Sequence, residues 1–172
     1  MPTDARKRLA AAQLELVRAL VGDKVAPAEF DTPRIQATAD TLMLKRARAV
    51  ANAWPRLARS LGPAFDDRFA AYARSNPLRQ EGGPLADGRA FARELHRAGA
   101  LSDEAVLEKL AFDLRHRVRC ERAVARRGFS FGAGVLKQSL RFVIAIRLPV
   151  LGERWFNIPL KILLKHHATK SV

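Results

Sequence analysis

The chain has 172 residues, 48% of them apolar, with a single cysteine and a net charge of +14. This length holds one full core, or one helical domain with a small appendage; the lone Cys120 excludes an internal disulfide and suits a reducing cytoplasm. The charged N-terminus MPTDARKRLAAAQLEL lacks a signal-peptide core, and the most apolar run, Phe142 to Leu151, is broken by Arg147 and falls short of the roughly 20 residues of a membrane-spanning helix.

The charge is unevenly placed. Residues 1–114 hold 18 Lys/Arg and 15 Asp/Glu, a balance of +3, whereas residues 115–172 hold 13 Lys/Arg and two Asp/Glu, a balance of +11. Such an asymmetry points to an anionic partner: an acidic peptide or protein face, a nucleic acid or a membrane surface. The plainer alternative is an arginine-rich solvated surface.

Thr3 caps a first helix, about Asp4 to Val21, with Leu9, Ala12, Leu16 and Leu20 on one face. Thr32-Pro33 starts a second, cap followed by proline at the first helical position, running to about Ala53. The stretch from Leu42 to Pro77 then turns a corner. Pro55 lacks the N–H that would bond back four residues and pushes Trp54 out of helical dihedrals. Gly62 ends a short helix in a left-handed turn, and Pro63 suits the start of the next. Asp87 caps a further helix with Phe91, Leu95 and Ala98 inward, stopped by Gly99. Ser102 caps another, with Asp103 and Glu104 at the positive end of its dipole. Leu107, Leu110, Leu114 and Val118 continue that helix's apolar face, and Gly128 is its last possible stop.

After Gly128 the pattern changes. Phe129 to Gly134 is a glycine-rich joint. From Leu140 onward the period is two, with Leu140, Phe142, Ile144, Ile146 and Leu148 on the apolar side and Arg141, Val143, Ala145 and Arg147 on the other. Phe156, Ile158, Leu160 and Ile162 repeat the alternation. A three-residue loop, Leu151-Gly152-Glu153, would place Leu148 beside Phe156, Ile146 beside Ile158 and Ile144 beside Leu160. The expected fold is therefore mainly α: a bundle of about six helices with a small C-terminal antiparallel β-hairpin. Residues 1–100 form the helical domain and residues 101–172 a basic helix plus hairpin.

The succession WPRLARSLGPAFDDRFAAYARSNP, then PLADGRAFAREL, resembles the N-terminal domain of the HvfC/BufC/MbnC family. The matching residues are Trp54, Pro55, Leu57, Leu61, Gly62, Phe65, Phe69, Tyr72, Pro77, Leu85, Gly88, Phe91 and Leu95, within about residues 9–97. The hairpin segment Ile146-Arg147-Leu148-Pro149-Val150-Leu151-Gly152 resembles the tail of small uncharacterised actinobacterial proteins. The first resemblance implies a domain labelled as DNA-binding in some members. In others it implies a partner of a multinuclear iron oxidative enzyme, one that binds and presents a ribosomally made precursor peptide and carries no metal of its own.

Two basic features are candidates for binding. Arg115, Arg119, Arg122 and Arg126, spaced four, three and four apart, share one helical stripe if the helix persists beyond Arg117, where RVRCERAVARR also alternates in places as a strand would. Guanidinium forks match carboxylate or phosphate oxygens. Arg141 and Arg147 on one hairpin strand face the same way as Lys161 and Lys165 on the other, where a peptide strand could add to the sheet edge; edge lysines that merely deter aggregation are the commoner case.

No catalytic or metal-binding constellation accompanies them. His96, His116, His166 and His167 show no ligand spacing, Asp66-Asp67 open a helix, and Cys120 has no base or oxyanion site that can be assembled with it. GFSFGAG lacks the ending of a phosphate loop. The sequence thus favours a non-catalytic, cofactor-free partner or adaptor protein that binds an acidic peptide or protein. A nucleic-acid-binding module is the alternative, and an enzyme has the least support.

Overall fold

The computed structural model describes residues 2–21, 31–77, 82–120 and 122–161. The described helices are α1 (Pro2–Val21), α2 (Thr32–Ala53), α3 (Pro55–Leu61), α4 (Phe65–Ser75), α5 (Pro84–Arg97) and α6 (Asp103–Arg115), with a 3₁₀ turn at Gly62–Ala64. The described strands are β1 (His116–Arg119), β2 (Arg122–Ala125), β3 (Ser130–Leu136), β4 (Arg141–Leu148) and β5 (Gly152–Pro159). They form two antiparallel sheets, β1–β2 and β3–β4–β5. The expectation of a mainly α bundle with one hairpin is overturned: the fold is mixed, with five strands in two sheets among the described residues after α6. No helix among the described residues is long and apolar enough to cross a membrane.

The chain divides into two compact units, Met1–Val50 with Pro63–Gln80, and Ala51–Gly62 with Glu81–Val172. In the first, Phe65, Phe69 and Tyr72 are buried along α4, with the Phe65 and Phe69 rings stacked at 5.8 Å. The Arg46 guanidinium lies 5.6 Å from the Phe69 ring centroid and donates to the Asn76 carbonyl at 2.8 Å.

The second unit is built around Trp54, which is 1% exposed. Pro55 forces it out of the helical region, to φ −130° and ψ 63°. Its indole Nε1 donates to the Leu85 carbonyl at 3.1 Å, and its ring packs 5.1 Å from that of Phe112. Gly88 of α5 is there because a methyl group would intrude on the indole. Trp54 offers no side-chain cap to α3. Glu108 of α6 supplies it instead, its carboxylate accepting from the Arg56 and Leu57 N–H groups at 3.1 and 2.8 Å. Gly62, at φ 55°, ends α3. Helix α5 starts earlier than expected: Gly83 is its N-cap, and Asp87 is buried in its first turn.

Helix α6 begins as the sequence implies, Ser102 Oγ accepting from the Ala105 N–H at 3.2 Å. It ends at Arg115, well short of Gly128. Two contacts end it. The buried Ser130 hydroxyl donates to the Leu114 carbonyl at 2.7 Å, taking up a terminal acceptor. The Arg126 N–H donates to the Arg115 carbonyl at 2.7 Å, which opens the β1–β2 ladder. His116 is already extended at φ −131° and ψ 156°. The hairpin turns after Arg119, with Cys120 at φ 44°.

The glycine-rich segment expected to be a joint is strand β3. Ser130, Gly132, Gly134 and Leu136 face α6, where a Cβ on Gly134 would lie 3.0 Å from Leu110 Cδ1 and 3.2 Å from Val106 Cγ1. Glycine therefore lets the helix approach the sheet. Val106, Leu110, Leu136 and Val143 form the resulting core, with Leu101, Leu107 and Trp155 against it. At the far end, Asp103 of α6 accepts from the Gln138 and Ser139 N–H groups and the Ser139 hydroxyl, fixing the β3–β4 turn.

The β4–β5 register also differs from expectation. Leu148 lies opposite Gly152, Ile146 opposite Arg154 and Ile144 opposite Phe156. Pro149 has no N–H for the ladder and starts the turn, so the connection is Pro149–Leu151. This slip of an even number of residues keeps the face assignments. The face that is buried is the other one: Val143 and Ala145 are 0% exposed, whereas Phe142, Ile144, Ile146 and Leu148 are only half-buried. Leu160 donates its N–H to the Leu140 carbonyl, and Ile162 lies outside the described residues.

Candidate functional site

The helical stripe of Arg115, Arg119, Arg122 and Arg126 does not exist, because α6 stops at its first member. Arg115 is held by Glu153, donating from Nε to one carboxylate oxygen at 2.6 Å and from Nη2 to the other at 3.0 Å. This fork–fork pair raises the Arg115 pKa. Glu153 is lowered in turn, first by the Arg115 hydrogen bonds, against its partial burial, with further help from Trp155 and the charge of Arg147. Arg126 Nε donates to the His116 carbonyl at 3.1 Å, and Arg147 Nη1 to the Arg126 carbonyl at 2.7 Å. Arg115 therefore fastens α6 to β5, and Arg126 and Arg147 fasten the end of the β1–β2 hairpin to β4.

The remaining arginines gather differently. In the β1–β2 register Arg119 lies opposite Arg122 and Arg117 opposite Val124. Residues opposite each other across a ladder share a face, as do residues two apart on one strand. Arg117, Arg119 and Arg122 thus share one exposed face of a short two-stranded ribbon. Arg117 was missed from the helical spacing. The signal that finds it is the alternation in His116-Arg117-Val118-Arg119, a strand period rather than a helical one. Three guanidinium groups so placed suit an anion with several oxygens, such as successive carboxylates or phosphates.

The second expected group is dispersed. Arg141 is exposed at the start of β4, and Lys161 is exposed just beyond β5. Arg147 is committed to the Arg126 carbonyl, and Lys165 lies outside the described residues, as do His166 and His167. Arg141 and Arg147 do lie on the face opposite the half-exposed apolar one, but that face carries α6 rather than solvent.

A cleft of about 420 Å³ opens beside β5, lined in part by Arg56, Glu108, Arg115, Glu153, Trp155 and Asn157. Both carboxylates there are engaged, Glu108 as the cap of α3 and Glu153 with Arg115, so neither is placed as a general base. Cys120 is exposed at the hairpin turn, and His116 stacks on Phe112 at 5.0 Å. Asp66 and Asp67 lie in the first turn of α4, where carboxylates complement the helix dipole.

A UPF0276 protein of Streptomyces avermitilis is 37% identical over 110 residues, covering 63% of this chain and 22% of the relative. The chain thus matches only about a fifth of the length of that relative. No solved structure matches. Residues 10–97, from within α1 to the end of α5, match the family described as SCO6045-like, C-terminal domain, and the chain belongs to that family.

Proposed function

We propose that this chain is a non-catalytic partner protein that binds an acidic peptide or protein segment through its basic last third. The observation that carries the reading is the shared face of Arg117, Arg119 and Arg122, within the segment that holds a balance of +11. Their forks match runs of carboxylates. A sheet edge beside a cleft gives an extended segment main-chain partners as well. The Streptomyces relative supports the reading from another side, since there a stretch similar to this chain makes up 22% of a longer protein. The resemblance of the Trp54–Leu95 corner to the HvfC/BufC/MbnC family sharpens it to presentation of a precursor peptide to a multinuclear iron oxidative enzyme in the cytoplasm.

The test uses a labelled oligoglutamate and a labelled DNA duplex, titrated with the full chain and with the Arg117→Glu/Arg119→Glu/Arg122→Glu variant. Oligoglutamate is expected to bind the parent at least tenfold more tightly than the variant. The reading fails if the variant binds equally well. Tight duplex binding that weakens steeply with salt, without oligoglutamate binding, replaces it with a nucleic-acid-binding module.

A further inference from the structure

The three-stranded sheet has one face covered by α6 and, among the described residues, one face with no helix of its unit packed against it. The registers place three apolar rows on the second face: Phe131, Ile146 and the stem of Arg154; Ala133, Ile144 and Phe156; Val135, Phe142 and Ile158. Phe131 is 75% exposed and Phe156 51%, and Phe129 lies with its ring 6.3 Å from that of Phe131. A contiguous apolar sheet face of this kind is uncommon on a free surface. Isolated exposed apolar residues need no explanation, but rows across three strands do.

The rim has one sign. Lys137, Arg154 and Lys161 are exposed around the sheet, and Arg141, though on the α6 side of β4, is exposed at the strand's start. Between residues 122 and 161 the sequence holds eight Lys/Arg and one acid, Glu153, which faces α6 and is bound to Arg115. A second copy of this chain would bring the same basic rim against itself. The complementary occupant is apolar in the middle and acidic at its edges. The other face shows what shape fits: a helix laid on the sheet, as α6 is, with its start at the β3–β4 turn and its end at the start of β3.

From this we infer that the outer face of β3–β4–β5 is a docking surface for an acid-flanked amphipathic helix of a partner protein. The inference rests on the partner-protein reading only in that a second protein supplies the helix. Its surface is separate from the Arg117–Arg119–Arg122 ribbon. The apolar rows supply the burial, and the basic rim selects glutamate and aspartate flanks and sets orientation.

The experiment titrates the full chain with two labelled helical peptides, each with a leucine stripe, one flanked by glutamate and one by lysine. The glutamate-flanked peptide is expected to bind at least tenfold more tightly. Phe131→Ser/Phe156→Ser is expected to weaken it at least tenfold, and Arg154→Glu about threefold. The Arg117→Glu/Arg119→Glu/Arg122→Glu variant should leave it within threefold, while losing oligoglutamate. Peptide binding indifferent to the phenylalanine substitutions, or equal for both peptides, overturns the inference and leaves the arginine ribbon standing. Phenylalanine-dependent dimerisation in sedimentation overturns it in favour of a second copy. Phenylalanine-dependent binding to phosphatidylglycerol vesicles without peptide binding overturns it in favour of a membrane surface.

Discussion

The two faces of the β3–β4–β5 sheet differ most where α6 comes closest. There the covered face carries Gly132, Gly134, Val143 and Ala145, with the larger Leu136 at the end of β3 and Trp155 on β5 to either side. The other carries Phe131, Phe142, Ile144, Ile146 and Phe156, and remains partly open. Large side chains are thus not a guide to which face a helix covers. A helix that must come close selects small residues on the sheet and brings the bulk itself, here Val106 and Leu110. The largest expected effect follows from this difference. Gly134→Val pushes a side chain into Leu110 and is expected to cost about 3 kcal/mol, whereas Phe131→Ser on the open face should stay within about 0.5 kcal/mol. Urea midpoints of the two variants decide it. Equal losses would mean that the open face is as much part of the core as the closed one.

Neighbouring residues on β4 sharpen the same contrast with no change of element. Val143 is 0% exposed and touches the core under α6, whereas Ile144 points the other way and is half-buried. Val143→Ala is expected to cost about 2 kcal/mol, as lost transfer energy plus the cavity left behind. Ile144→Ala removes more carbon and yet should cost under about 1 kcal/mol, because solvent already reaches it. Area removed from water, not side-chain size, sets the order, and chemical denaturation of the two single variants measures it. A larger loss from Ile144→Ala would place the protein's real core on the face left open.

The corner around Trp54 was legible because its devices are local. Pro55 acts on the residue before it, Gly62 on its own φ, and the Ser102 hydroxyl on an N–H three residues on. The end of α6 was not legible, because its causes lie far along the chain. Ser130 takes the Leu114 carbonyl, and Arg126 pairs with Arg115. Arginine stripes at helical spacing fit a helix equally well until those partners are seen. Strand β3 was hidden for a related reason: SFGAGVL looks like a joint by composition, and only the approach of Leu110 explains its glycines. The parity of the β4–β5 hairpin was legible from period two, but not its loop, since Val150 and Leu151 look like strand and instead follow Pro149 into an exposed turn. In the candidate site, Arg119 and Arg122 do come together, though as a cross-strand pair with Arg117 beside them.

The closed face is also fastened by charge at both ends, and the open face shows no such fastening among the described residues, which gives the smallest effect and the finest discrimination. Asp103 holds the β3–β4 turn. Partial burial alone would raise its pKa, but the Ser139 hydroxyl and the backbone N–H groups of the turn outweigh it, and the pKa falls below its ordinary value of 3.8. Glu153, held by Arg115, falls below its ordinary value of 4.5. A carboxylate lowered by folding contributes stability that is complete above its unfolded pKa and is lost as pH falls through the folded one. Both groups are half-buried beside solvent, so the contribution is partly screened and each is worth about 1 kcal/mol or less. Asp103→Asn/Glu153→Gln should therefore lower the urea midpoint at pH 6, and its gap from the parent should close toward pH 3 as the parent's own carboxylates take up protons. Phe156→Ser on the open face should show no such convergence, because neither Phe156 nor its cross-strand row of Ile144 and Ala133 carries an ionisable group. A gap for the double variant that persists unchanged at pH 3 would assign the fastening to the shape of those side chains and not to their charge.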